Sequence, residues 1–149
     1  MPTPPSLRLD GRSLRLDDLA PLLRGELPEL IFDPAAIERV RASRRLVAET
    51  VERGDVVYGL TTGFGKLKNA AIAPEDLEEL QQNLILSHCC GSGELLSPDE
   101  ARCVWVLRLN GLLRGHSGVR VELIEAWQRL FAKGFVPCIP VPGVGGRER

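Results

Sequence analysis

The chain opens on alternation. Leu7 and Leu9 flank Arg8, Asp10-Gly11 follows as a turn signal, and Ser13 to Leu16 alternates again. Two short alternating runs around Asp-Gly predict a small N-terminal β-hairpin. Asp17 then caps a short helix through Leu23, ending near Gly25. Asp33-Pro34 is a helix start, with Asp as N-cap and Pro at the first helical position. Ile37, Val40, Val47 and Val51 share one face of that helix and Gly54 stops it. Arg39, Arg41, Arg44 and Arg45 read as its solvated face.

Val56-Val57-Tyr58 is a short extended run that leads into a Gly-rich loop, Gly59 to Lys66. The next helix starts at Pro74, with Glu75, Asp76, Glu78 and Glu79 in its first turns, where the macrodipole favours acids. It runs to about Cys90, and Gly91-Ser92-Gly93 ends it. Ser97-Pro98-Asp99-Glu100 predicts a capping box with Pro at the first helical position. The helix behind it, Cys103 to Leu113, is apolar almost all round and wants cover on every side. Gly115-His116-Ser117-Gly118 interrupts it. An amphipathic helix from Val119 to Lys133 follows, with Gly134 as its stop and a Pro- and Gly-rich tail behind.

A length of 149 residues suits one domain. Nineteen basic against 20 acidic residues give a net charge of -1, so there is no electrostatic case for nucleic acid or acidic lipid. No stretch is long and apolar enough for a bilayer. Met1-Pro2-Thr3-Pro4-Pro5-Ser6 lacks the basic and apolar regions of a secretory signal, and a cytoplasmic location is expected. Cys89, Cys90, Cys103 and Cys138 form no C-x-x-C pair and read as buried free thiols. With two histidines and no ligand spacing, no metal site is expected.

The Gly59–Lys66 loop invites a phosphate reading and fails it. Five residues separate Gly59 from Gly65 where a P-loop has four, and Leu67 replaces the magnesium-binding hydroxyl. Lys68 stands where G-x-G-x-x-G needs its last glycine. Glycines at 59, 63 and 65 still permit positive φ or close backbone approach. Tyr58 has two readings here: a half-buried tyrosine capping the core, or a functional group at a loop entrance. His88, one turn beyond Leu84 on the face of Leu77 and Leu80, also has two. It is a satisfied core histidine, or it faces a cavity and recognises a substrate ring or carboxylate.

Four segments together resemble the histidine and aromatic amino-acid ammonia-lyase family. They are Val57 to Leu67 (VYGLTTGFGKL), Leu80 to His88 (LQQNLILSH), Arg108 to Arg120 (RLNGLLRGHSGVR) and Pro137-Cys138-Ile139-Pro140. The resemblance covers nearly the whole chain and lies closest to histidine ammonia-lyase. It implies a mainly α fold, the N-terminal portion of an all-helical, homotetrameric enzyme. Residues 1–32 would hold the hairpin and short helix, 33–134 a helical region with the loop at 58–70, and 135–149 the tail. The implied reaction removes ammonia from an amino acid and leaves an unsaturated acid. Tyr58 matches the family's base for the β-proton, which needs a phenol with a lowered pKa. Gly59, Thr61, Thr62, Gly63, Phe64 and Gly65 would form a mobile active-site lid. His88 matches the residue that selects the substrate side chain in histidine lyases, whereas Thr61 stands where those enzymes usually have Asn and looks like the phenylalanine branch.

One part of the family pattern is missing. The family electrophile, a methylidene-imidazolone, forms from an internal Ala-Ser-Gly, and this chain has no such tripeptide. Glu148 stands where the cyclising Ser belongs. One inserted base turns codons for Arg-Gly-Ser-Val-Gly-Ala-Ser-Gly-Asp into codons for Pro-Gly-Val-Gly-Gly-Arg-Glu-Arg and a stop, which is Pro142 to Arg149. The expectation is a truncated, frameshifted lyase that is inactive alone, exposes apolar surface and self-associates. The competing expectation is a non-catalytic paralogue that docks onto an intact lyase and modulates it.

Overall fold

The computed structural model describes residues 5–62 and 76–141, with Leu77 described by its backbone alone. Two strands, β1 (Ser6–Leu9) and β2 (Glu29–Phe32), frame a 3-10 turn (Leu16–Leu19) and helix α1 (Ala20–Leu23). Four longer helices follow: α2 (Pro34–Glu52), α3 (Leu77–His88), α4 (Pro98–Leu112) and α5 (Val121–Ala132). The mainly α class expected from the sequence holds.

The expected hairpin does not form. β1 pairs with β2, in parallel, with Leu7 opposite Leu30 and Leu9 opposite Phe32. The Asp10-Gly11 corner is spent differently. The Asp10 carboxylate accepts from the N–H groups of Arg12 and Ser13, and the Gly11 N–H donates to Asn110 Oδ1 on α4, 2.8 Å away. That corner turns the chain away from β1, and parallel pairing then needs a crossover, which α1 supplies. Leu16 shows why Ser13 to Leu16 makes a poor strand: it is 83% exposed and lies in the 3-10 turn. Leu7, Leu9 and Leu30 are buried, so pairing β1 with β2 puts all three on the core.

The helix starts follow their local signals. Asp33 caps α2 through Oδ1, which accepts from Ala35 N at 2.8 Å and Ala36 N at 3.3 Å. Ser97 and Glu100 form the expected capping box on α4. Gly54, Gly115 and Gly134 lie just past helix ends with positive φ, where glycine carries no steric cost. α3 is two residues shorter at its end than expected, and its predicted start at Pro74 lies outside the described residues.

The core gathers around α4. Val106, Leu109 and Leu113 meet Leu9, Leu22, Val40, Ile124 and Phe131, all fully buried. Trp105 packs against Trp127 and Phe135, with ring centroids 5.2 Å and 5.5 Å apart. Cover is incomplete, however: Val104 and Leu107 on α4 remain exposed. Ile85 and Leu86 on α3 are exposed as well.

Two surface expectations need correcting. Arg39 is not part of a solvated face, because its guanidinium is drawn inward by the carbonyl oxygens of Asp10 and Leu113. The cysteines are not all buried either. Cys89 and Cys90 follow the end of α3 and Cys138 lies in the tail, and all three are exposed. Only Cys103 is inside, where burial, with Asp99 and Glu100 adding, pushes its thiol pKa up.

Candidate active site

Where α2 ends, the chain folds into a tight turn. Val56-Val57-Tyr58 forms no strand; Tyr58 already belongs to the turn. The N–H groups of Leu60 and Thr61 both donate to the Val57 carbonyl, at 3.1 and 3.0 Å. Gly59 adopts φ +73, a conformation that L side chains rarely accept. Its N–H reaches Thr62 Oγ1 at 3.4 Å. Tyr58 thus rides on a bonded scaffold while the residue itself is 64% exposed, so it is no core cap.

Thr61 and Thr62 face the other way and are buried. The Thr61 hydroxyl donates to the Asp55 carbonyl at 2.5 Å and accepts from the Val57 N–H at 2.8 Å. The sequence marks Thr61 as a lid residue, and nothing in its spacing signals this inward clamp. Gly63, Phe64 and Gly65, the rest of the expected lid, lie outside the described residues.

His88 is the last residue of α3 and is exposed, so it is not a core histidine. Its Nδ1 lies 2.8 Å from the Leu84 carbonyl oxygen and 3.0 Å from Ser87 Oγ. A carbonyl can only accept, so Nδ1 carries the proton, and in the neutral form of the ring Nε2 is then the acceptor. Ser87 also donates to the Leu84 carbonyl, at 2.9 Å.

A cleft of about 730 Å³ lies beside this region. Val47 and Val51 of α2, Gly59 and Leu60 of the turn, Gln81 of α3 and Gly118 line it. Gly118 is held there by its N–H, which donates to Ser43 Oγ on α2 at 3.0 Å. The structure therefore brings the turn and α3 to one cleft, but neither Tyr58 nor His88 lines it. Among the described residues no three His, Cys, Asp or Glu side chains cluster as metal ligands. Among them, too, no helix is long and apolar enough to cross a membrane.

A family profile described as aromatic amino acid lyase matches residues 14–147. The chain belongs to that family. Among its lyase relatives, the histidine ammonia-lyase of Streptococcus pyogenes serotype M5 is 44% identical over 137 residues, which are 92% of this chain and 26% of that protein. The histidine ammonia-lyase of Shouchella clausii is 45% identical over 135 residues, or 91% of this chain and 27% of that protein. The solved structure of histidine ammonia-lyase from Trypanosoma cruzi superposes with a TM-score of 0.83 at 39% identity, covering 92% of this chain and 26% of that one. A tyrosine aminomutase from Streptomyces globisporus gives 0.84 at 30% identity, with 93% and 26% covered. The chain thus spans about a quarter of the length of the lyases it matches. The residues present do not supply the methylidene-imidazolone, because no Ala-Ser-Gly occurs among them.

Proposed function

We propose that this chain carries the N-terminal, substrate-facing part of a histidine ammonia-lyase and is inactive by itself. The parent reaction is non-oxidative elimination. The Cβ–H and Cα–N bonds of L-histidine break, a double bond forms between those carbons, and ammonia leaves with urocanate as product. An aromatic amino acid is the runner-up substrate.

In that reaction Tyr58 takes the β-proton on its phenolic oxygen. His88 recognises the substrate ring. With Nδ1 committed to Leu84, Nε2 is free to accept from an imidazole N–H. Such a hydrogen bond favours histidine over phenylalanine, which has no ring donor.

The observation that carries the inactivity is the 64% exposure of Tyr58. A base in open contact with water lacks the exclusion that an elimination site needs. The parent site is completed by further chain segments and by other subunits of a cytoplasmic homotetramer. Incubating the pure 149-residue chain with L-histidine, and following urocanate by its ultraviolet absorbance, tests this. No turnover is expected; measurable turnover overturns the proposal.

The shifted-frame origin of residues 142–149 belongs to the same reading. Resequencing the encoding DNA past that point is expected to open a second frame with Ala-Ser-Gly-Asp-Leu. A read without such a frame sinks that origin.

The second reading, a non-catalytic paralogue that docks onto an intact lyase, draws on the open apolar side chains Val104 and Leu107 of α4. Co-purification with a full-length lyase favours it, and a monomeric chain that ignores such a lyase removes it.

A further inference from the structure

We infer that Thr61 is a positioning residue for Tyr58: its buried hydroxyl clamps the turn that aims the phenol. The inference deepens the lyase reading, since the importance of that aim rests on Tyr58 being the base.

The backbone on either side of Tyr58 fixes where its side chain leaves the chain. That backbone is bonded on both sides. Val57, just before it, is held through its carbonyl by the N–H groups of Leu60 and Thr61. Val57 is also held through its N–H, which donates to Thr61 Oγ1 at 2.8 Å. Gly59, just after it, is held by Thr62 Oγ1. The Thr61 hydroxyl extends the clamp backwards by donating to the Asp55 carbonyl at 2.5 Å. One side-chain oxygen therefore fastens residues 55 and 57 to residue 61, with Tyr58 at the apex.

Thr61 is only 7% exposed, and its hydroxyl proton is spent on its own turn. It is thus built to hold the loop rather than to touch a substrate. The chemistry needed is one acceptor and one donor on a short side chain. Serine supplies both on one atom and asparagine on its amide, whereas valine keeps the shape and supplies neither.

Tyr58 is the sole tyrosine, so isotope-labelled tyrosine gives one NMR resonance that reports it alone. The full chain is compared with Thr61→Val, Thr61→Ser and Thr61→Asn. Tryptophan fluorescence from Trp105 and Trp127 reports the core separately. In the parent chain the Val57 amide is expected to be protected from hydrogen exchange. In Thr61→Val its exchange is expected to quicken about tenfold, the scale of one lost hydrogen bond. The tyrosine resonance is expected to move in Thr61→Val and to return in Thr61→Ser and Thr61→Asn, with the fluorescence unchanged.

An unprotected Val57 amide in the parent chain overturns the inference. So does a tyrosine resonance that stays put in Thr61→Val, or one that moves equally in all three variants. Should Thr61→Val unfold, the serine and asparagine variants decide: retention of the parent resonance supports the clamp, and its loss refutes it. None of these signals needs turnover, so failure of the lyase reading leaves them separately readable.

Discussion

Arg39, in the middle of α2, donates to the carbonyl oxygen of Asp10, 2.6 Å away at the corner after β1. The same nitrogen lies 3.4 Å from the Leu113 carbonyl at the end of α4. One guanidinium therefore joins three parts of the fold that are remote in sequence. Carbonyl groups at a corner and a helix end lack regular partners, and a charged donor satisfies them strongly.

Replacing Arg39 with Met keeps much of the stem and removes the donors. The variant is expected to lose about 1–3 kcal/mol, the scale of hydrogen bonds from a charged group. Urea unfolding followed by tryptophan fluorescence measures this. An unchanged midpoint refutes the joining role.

Glycine substitutions separate backbone strain from crowding. A Cβ on Gly115, at φ +80, meets Arg39 Cβ at 2.6 Å, and one on Gly11, also at φ +80, meets Arg114 N at 2.6 Å. At Gly54, with φ +70, a Cβ meets nothing within 4 Å. Alanine at Gly54 is expected to cost about 1 kcal/mol from the left-handed backbone alone. Alanine at Gly11 or Gly115 is expected to cost more, because backbone or a packed stem must also shift. Thermal unfolding of the three variants gives the order, and equal losses disprove the crowding.

Acid sensitivity follows from the carboxylates. Backbone N–H groups of Ser13 and Arg12 hold Asp10 down to about 2 from its ordinary 3.8. Arg8 holds Asp33 below its ordinary value, and Ser97 does the same for Glu100. A depressed folded pKa stabilises above the unfolded value and ceases to do so as pH falls through the folded value. For Asp10 the window therefore runs from 3.8 down to about 2. The urea midpoint is expected to fall across that window, and to fall less in Asp10→Asn, which carries no charge to lose. Equal falls in both chains count against the corner.

Ser97 reports the worth of a purely local signal. Its side chain accepts from Glu100 N at 3.3 Å, while Glu100 accepts from Ser97 N at 2.9 Å. Ser97→Ala is expected to cost about 1 kcal/mol. A melting temperature equal to that of the parent chain refutes a stabilising cap.

The sequence by itself determined where most helices begin and end. Asp33, Ser97 and the glycines at 54, 115 and 134 act within a few residues of themselves, and capping hydrogen bonds need nothing distant. It also carried the family, because the Tyr58 and His88 segments are contiguous motifs. Tertiary structure decided which strand β1 pairs with. Asp-Gly permits a hairpin, but Asn110, 99 residues away, takes the Gly11 N–H, and Leu30 covers the core better than Leu16. Tertiary structure also decided that Arg39 turns inward. Each of these depends on which acceptor or apolar surface arrives from elsewhere in the chain, and residue order alone does not carry that distance.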